Sequence, residues 1–174
     1  MALTSKIRPY DDRWPSLFDA EKVRIRSVFA PRVVDIEHVG STAVAGLAAK
    51  PEIDILVVSN HQDEDRIDQE MALLGYVRGK NLSSGHMFYR RDVGRVRTHK
   101  VHVCRPGHWQ VPRMLRFRDM LREDEELRHE YQSLKLELEA RNESGIKEYL
   151  ADKAPFIDAV VGPPPQAGQA LGAD

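Results

Sequence analysis

Residues 33–58, VVDIEHVGSTAVAGLAAKPEIDILVV, constrain the fold of this chain more than any other stretch. They read as a strand, a tight Gly-Ser turn, a short helix or coiled crossover, a proline, and a second strand. The first strand ends in His38-Val39-Gly40-Ser41, and the second carries Glu52 and Asp54. Side chains along a strand alternate between faces, so the two acids point the same way, with Cα atoms about 7 Å apart. Neighbouring carboxylates repel, and burying one unpaired is expensive, so a cation is the natural third party. A hard ion, Mg²⁺ or Mn²⁺, suits two carboxylates. The turn supplies the complement: Gly40 lets backbone approach a ligand, while the Ser41 hydroxyl and the N–H groups of a following helix start attract phosphate. Ser41 equally suits a plain helix cap. Lys50, just before Pro51, is close enough in sequence to neutralise the acids or to touch phosphate.

Upstream, Asp11-Asp12-Arg13-Trp14-Pro15 is a helix start with proline in the first turn. Trp14, Leu17, Phe18, Ile25, Val28 and Phe29 recur at helical spacing until Pro31 stops the run. Strands are expected over 33–39 and 52–58, then a helix over 63–74 with an acidic first turn, closed by Gly75. After a polar loop over 80–85, residues 86–91 and 96–105 lean to strand and are parted by Asp92-Val93-Gly94, the pattern of a hairpin. From Trp109 strand signals vanish. Val111, Met114, Leu115 and Leu121 suit one helix, Leu127, Tyr131, Leu134 and Leu138 a second, and Ile146, Tyr149, Leu150, Ile157 and Val160 a third. Pro155 falls inside the third pattern and predicts a kink or a restart there.

The expected class is α+β: a small mixed sheet with early helices, then a C-terminal helical bundle able to close one side of a cleft. The divisions fall at 1–108 for the α/β core, 109–161 for the helical part, and 162–174 for a Pro/Gly/Ala-rich tail that reads as disordered.

Composition narrows the partners. A chain of 174 residues, 41% hydrophobic and 30% charged, matches an ordinary soluble globular protein. Its formal net charge of −1 provides no field for nucleic acid, and no basic stretch is interleaved with aromatics, so nucleic acid is disfavoured as a partner. Residues 90–100 are basic locally, and on hairpin geometry Arg97 and Lys100 could line the phosphate side of a cleft. The single cysteine, Cys104, cannot close an internal disulfide and reads as inert. Residues 1–12 hold no apolar signal region, and no apolar run approaches the ~20 residues of a membrane span, so a cytoplasmic location without membrane contact is expected.

Gly40-Ser41, ten intervening residues, then Glu52-Ile53-Asp54 resembles the signature of the nucleotidyltransferase superfamily, the DNA polymerase β-like fold. More closely, HVGSTAVAGLAAKPEIDILV, RTHKVHV and LRFRDMLR resemble the GrpB family of bacterial proteins, over about residues 7–161. The resemblance implies a minimal nucleotidyltransferase sheet with a helical C-terminal part. It also implies in-line displacement at the α-phosphorus of a nucleoside triphosphate: Glu52 and Asp54 would be metal ligands, and Gly40 and Ser41 would grip phosphates. Relatives in the wider superfamily add a third carboxylate on a later strand, here 97–103, which contains no acid. Thr98, Lys100 and His102 share one face of that strand, and His102 is the substitute candidate, as base or ligand, because an ordinary imidazole titrates near neutrality. By the same resemblance, a triphosphate-binding lysine is expected on the C-terminal helices, at Lys135 or Lys153.

Blander readings stand beside these. His38 suits a packed, hydrogen-bonded position. Arg116, Arg118 and Arg122 suit surface ion pairs as well as a phosphate cleft. His99 and His102 lie on opposite strand faces and do not form a zinc pair. Three functions follow: Mg²⁺-dependent nucleotidyl transfer to a small-molecule or protein hydroxyl, a nucleotide- or phosphate-binding module without turnover, and an accessory that uses its C-terminal helices for assembly.

Overall fold

Asp11 sets the start of the first helix: its carboxylate accepts the Arg13 backbone N–H at 2.9 Å. The helix, α1 (Trp14–Phe29), carries Pro15 in its first turn, where a missing N–H is harmless. Its buried face holds Trp14, Phe18, Ile25, Val28 and Phe29, while Leu17 is half-exposed. The computed structural model describes residues 5–166. After α1 come β1 (Val33–Val39), a 3₁₀ turn (Ser41–Ala43), β2 (Ile53–Ser59), α2 (Glu64–Leu73), β3 (Val77–Arg78), β4 (His86–Val93), β5 (Val96–Cys104), α3 (Gln110–Glu123), α4 (Glu125–Arg141) and α5 (Ile146–Val161).

The five strands form one mixed sheet in the order β1-β2-β5-β4-β3. Only β2 and β5 run parallel; the other neighbours are antiparallel. The architecture is the expected α+β one. Strand alternation sorts the side chains into two layers. Ile55 and Val57 of β2, Val101 and Val103 of β5 and Tyr89 of β4 pack with α1 and α2. On the opposite face, Leu56, Val58 and Cys104 lie under Val111, Met114 and Leu115 of α3. A third cluster ties the segment after β1 to the C-terminal helices: Val44 and Leu47 pack with Leu121, Tyr131 and Phe156. Asp54 and Lys100 therefore face α3–α5, where the helices leave room beside the sheet.

The structure departs from the sequence reading in a few places. Between the strands, of the two alternatives, the chain takes the coiled crossover, opened by a three-residue 3₁₀ turn. Strand β2 begins at Ile53 because the Glu52 N–H is turned back to Lys50 O, 2.7 Å away, and leaves the ladder. A two-residue edge strand, β3, pairs Val77 and Arg78 with Arg90 and Tyr89. Helix α5 runs through Pro155 without restarting. Of the expected tail, 162–166 carries neither helix nor strand, and 167–174 lies outside the described residues. Among the described residues, no helix is long and apolar enough to cross a membrane.

Candidate functional site

Register places the first pair. Asp54 lies opposite Lys100 in the parallel ladder and opposite Val39 in the antiparallel one. Glu52, two residues earlier, reaches the same point: Lys100 Nζ is 2.6 Å from Glu52 Oε2 and 3.7 Å from Asp54 Oδ1. Ser5 Oγ donates to the other Glu52 oxygen at 3.1 Å. Gly40 is required at the end of β1 for two reasons. Its φ is +73°, and a Cβ there would lie 2.6 Å from Asp54 Oδ2. The glycine makes room for the acid, and Gly40 itself does not line the cavity.

The charge states follow from the unequal sharing of one ammonium. Burial pushes Glu52 upward, but the Lys100 charge and hydrogen bond, with Lys50 and Ser5, hold it below its usual range. Burial raises Asp54 and outweighs the opposing pull of Lys100, and the Glu52 charge adds to the rise. Lys100 is raised, because the two carboxylates outweigh its burial. Carboxyls beside a cleft whose titrations are driven apart make it a candidate functional site.

Ser41 faces the same space. Lys135 Nζ donates to Ser41 Oγ at 3.1 Å and to Ala48 O at 2.5 Å, and Tyr131 also hydrogen-bonds Ser41. Lys135 is buried, and its pKa falls to about 7, through burial first and the Lys153 charge second. Lys153 falls to about 8 for the same first reason, with Lys100 adding repulsion. Burial lowers Lys50 as well. Two aromatic rings carry these ammoniums: Lys50 and Lys153 sit 4.6 and 5.2 Å from the Tyr149 ring centre, and Lys135 sits 4.9 Å from that of Tyr131.

These groups line a single cavity of about 60 Å³, with Ile7 of the N-terminal arm and Tyr149 as apolar walls. By that measure one water needs roughly 10–15 Å³, so the space holds a few waters. Ser41, Lys50, Glu52, Asp54, Lys100, Lys135 and Lys153 all border it. Arg97 and His102 do not. Arg97 Nε donates to Asp92 at 2.6 Å within the β4–β5 hairpin. His102 shares the face of Lys100 but lies one pleat further along, where its Nδ1 is 2.9 Å from His86 Nε2. Burial, then the His86 and Lys100 charges, push the His102 pKa down to about 3, too low for a base near neutrality.

The remaining candidates are structural. His38 stacks on Phe18 at 4.8 Å and contacts Thr42 Oγ1, whose hydroxyl donates to Glu52 O. Arg118 donates to Glu37 at 2.6 Å and to His38 O, and Arg122 donates to Ala43 O at 2.8 Å, so α3 braces the turn from behind. Sequence reasoning missed Tyr131, Tyr149 and Glu139; the last accepts the Ile7 N–H at 3.0 Å. A signal for the tyrosines was present: Tyr131/Lys135 and Tyr149/Lys153 repeat one i,i+4 pair on successive helices.

The two carboxylates bracket one point, and their hard oxygen donors suit Mg²⁺ or Mn²⁺. That point lies beside the Lys100 ammonium, so Glu52 and Asp54 take an ion only by releasing Lys100.

Comparison with known proteins bears on the family and the fold. The family model described as "GrpB protein" matches residues 4–162. UPF0157 protein YqkA of Bacillus subtilis is 36% identical over 150 residues, covering 85% of this chain and 43% of that protein, so the chain spans less than half of that relative's length. The crystal structure of the conserved protein GrpB from Enterococcus faecalis superposes with a TM-score of 0.81 at 31% identity, covering 89% of this chain and 94% of that one. A Cid1 poly(U) polymerase structure bound to MgATP shares the fold alone, with a TM-score of 0.55 at 10% identity over 84% of this chain and 50% of that one.

Proposed function

The chain belongs to the GrpB protein family, and on that footing we propose that its cavity binds the polyphosphate of a nucleoside triphosphate with Mg²⁺ or Mn²⁺ and transfers the nucleotidyl group to a small-molecule or protein hydroxyl. One observation carries the reading: Glu52 and Asp54 open into the same cavity as Ser41 and four lysines from four separate elements of the chain. Glu52 and Asp54 would hold the ion. A divalent ion held there supplies charge neutralisation to phosphate oxygens in an in-line displacement. Lys135, buried, and Lys153, half-buried, offer their ammoniums to the phosphate chain, and Ser41 Oγ orients it. Tyr149 and Ile7 exclude water from the reacting end. Nucleic acid is left out as acceptor because a net charge of −1 offers its backbone no attraction.

A second reading, a phosphate-ligand module without turnover, is favoured by Lys100. It closes the acid pair, and β5 has no third carboxylate. Incubation with labelled triphosphates, Mg²⁺ or Mn²⁺ and a metabolite pool separates the two. Pyrophosphate release that disappears in Glu52→Gln and Asp54→Asn supports transfer. Thermal stabilisation by nucleotide without release supports the module, and neither response from any nucleotide overturns both.

A further inference from the structure

A second group of chemically able side chains converges on the same sheet face, past His102. His86, the first residue of β4, stands opposite Cys104, the last of β5, in the antiparallel ladder. His108 comes back over them from the turn in which its N–H donates to Arg105 O. One ligand atom each from His86, Cys104 and His108 lies within 4.8 Å of the others. His86 is 2% exposed and Cys104 fully buried.

We propose that His86, Cys104 and His108 bind a borderline-soft divalent ion, zinc, at a site separate from the acid pair, with His102 and Ser83 as outer hydrogen-bond partners. Two imidazoles and a thiolate are a zinc donor set, whereas hard Mg²⁺ has no use for sulfur. Packing alone explains Cys104, which touches Leu56 and Val58, but does not explain two imidazoles brought to its sulfur at the rim of that apolar cluster. The hydrogen bonds leave a lone pair for an ion on His86, and one on His108 that a single backbone N–H occupies. When His86 Nε2–H donates to His102 Nδ1, at 2.9 Å, His86 Nδ1 is without a partner among the described residues. His108 Nδ1 accepts the Gln110 N–H at 3.1 Å, so Nε2 carries the proton that faces Ser83 Oγ at 2.9 Å. Ligation through Nδ1 keeps the Ser83 bond and returns the Gln110 N–H, a first-turn donor of α3, to solvent.

Tetrahedral zinc holds N and S donors about 3.4–3.6 Å apart, as follows from its bond lengths. The cluster must therefore tighten by about 1 Å, and His108, on a partly exposed turn, is the member free to move. Binding releases the Cys104 thiol proton to solvent, and water takes the fourth position.

The test is a titration of metal-stripped protein with Zn²⁺ against a chromophoric chelator, and with Co²⁺ by absorption. One equivalent with tetrahedral Co²⁺ bands and a thiolate charge-transfer band is expected. Cys104→Ser removes that band, and Cys104→Ser and His108→Gln each weaken zinc by more than about a hundredfold, above the ~10–100-fold loss usual for outer partners. Glu52→Gln leaves the thiolate band in place. If Cys104→Ser does not fold, the partly exposed His108→Gln still reads the site. Absence of stoichiometric zinc at micromolar concentration, a Co²⁺ spectrum without the thiolate band, or a spectrum unchanged in both variants overturns the proposal.

Discussion

Lys100 Nζ lies 2.6 Å from Glu52 Oε2, so the ammonium of one strand closes the carboxylate pair carried by its parallel neighbour. Removing one partner of such a pair leaves an uncompensated charge. Lys100→Met is expected to lower stability by about 2–3 kcal/mol, below the loss for a fully buried pair because the Lys100 side chain is 27% exposed. The freed acids should then take Mn²⁺ more readily. Urea unfolding with and without Mn²⁺ checks both: a Mn²⁺-dependent midpoint shift larger in the variant than in the parent is expected.

Gly40→Ala introduces a methyl 2.6 Å from Asp54 Oδ2 on a backbone with φ +73°. With ψ −174° this backbone lies in a region essentially confined to glycine, which costs an alanine about 1–3 kcal/mol, and the overlap adds to it. A loss of about 2–4 kcal/mol is expected. Adding Asp54→Ala removes the overlapped oxygen, so the double variant should lose clearly less than the sum of the singles in a denaturant cycle.

Lys135 and Lys153 predict a pH dependence. Their pKa values fall, to about 7 and about 8, below those of unfolded lysine. The unfolded chain therefore binds more protons above pH 7, and stability should rise from about pH 7 towards the ordinary lysine range near 10.4. Anion affinity runs the other way and is lost as pH climbs through 7–8, where the ammoniums discharge. Calorimetry of tripolyphosphate binding near pH 8 should show proton uptake as a buffer-dependent enthalpy, absent in a Lys135→Met, Lys153→Met double variant.

Glu21 offers a control on the opposite face of the sheet. Its buried carboxylate accepts Tyr76 OH at 2.9 Å, Arg91 at 3.1 Å and Arg24 at 2.8 Å. Glu21→Gln should cost about 3 kcal/mol by stranding the Arg91 guanidinium. Phosphate-ligand affinity measured in the folded protein should stay unchanged.

Period and punctuation made most elements legible, because each long helix or strand buries one face. The edge strand β3 escaped notice: two residues are too few to show alternation. Pro155 suggested a kink or a restart, and α5 does not restart there: the missing N–H removes one helical hydrogen bond while Phe156 still anchors in the core behind Tyr131. At the site, strand alternation told which face a residue takes, not how far along the sheet it lies. His102 was placed with the acids on that ground, yet lies one pleat away, paired with His86. Arg97 belongs to the hairpin through Asp92. The reach of Lys100 between two carboxylates could not be read at all, because it depends on the parallel register of β2 with β5, which no local pattern encodes. The same holds for His86, Cys104 and His108, brought together only by strand pairing and a following turn.

The N-terminal arm crosses the cavity on three ties: Ser5 to Glu52, the Ile7 N–H to Glu139, and a backbone bridge between Arg8 and Ala49. A triphosphate that ran beneath the arm would have to displace it, since Ile7 borders the cavity there. Measured affinity is then the intrinsic one scaled by the fraction of molecules caught open. Grip and admission become separate quantities, the first set by lysines and acids, the second by a handful of hydrogen bonds near the start of the chain.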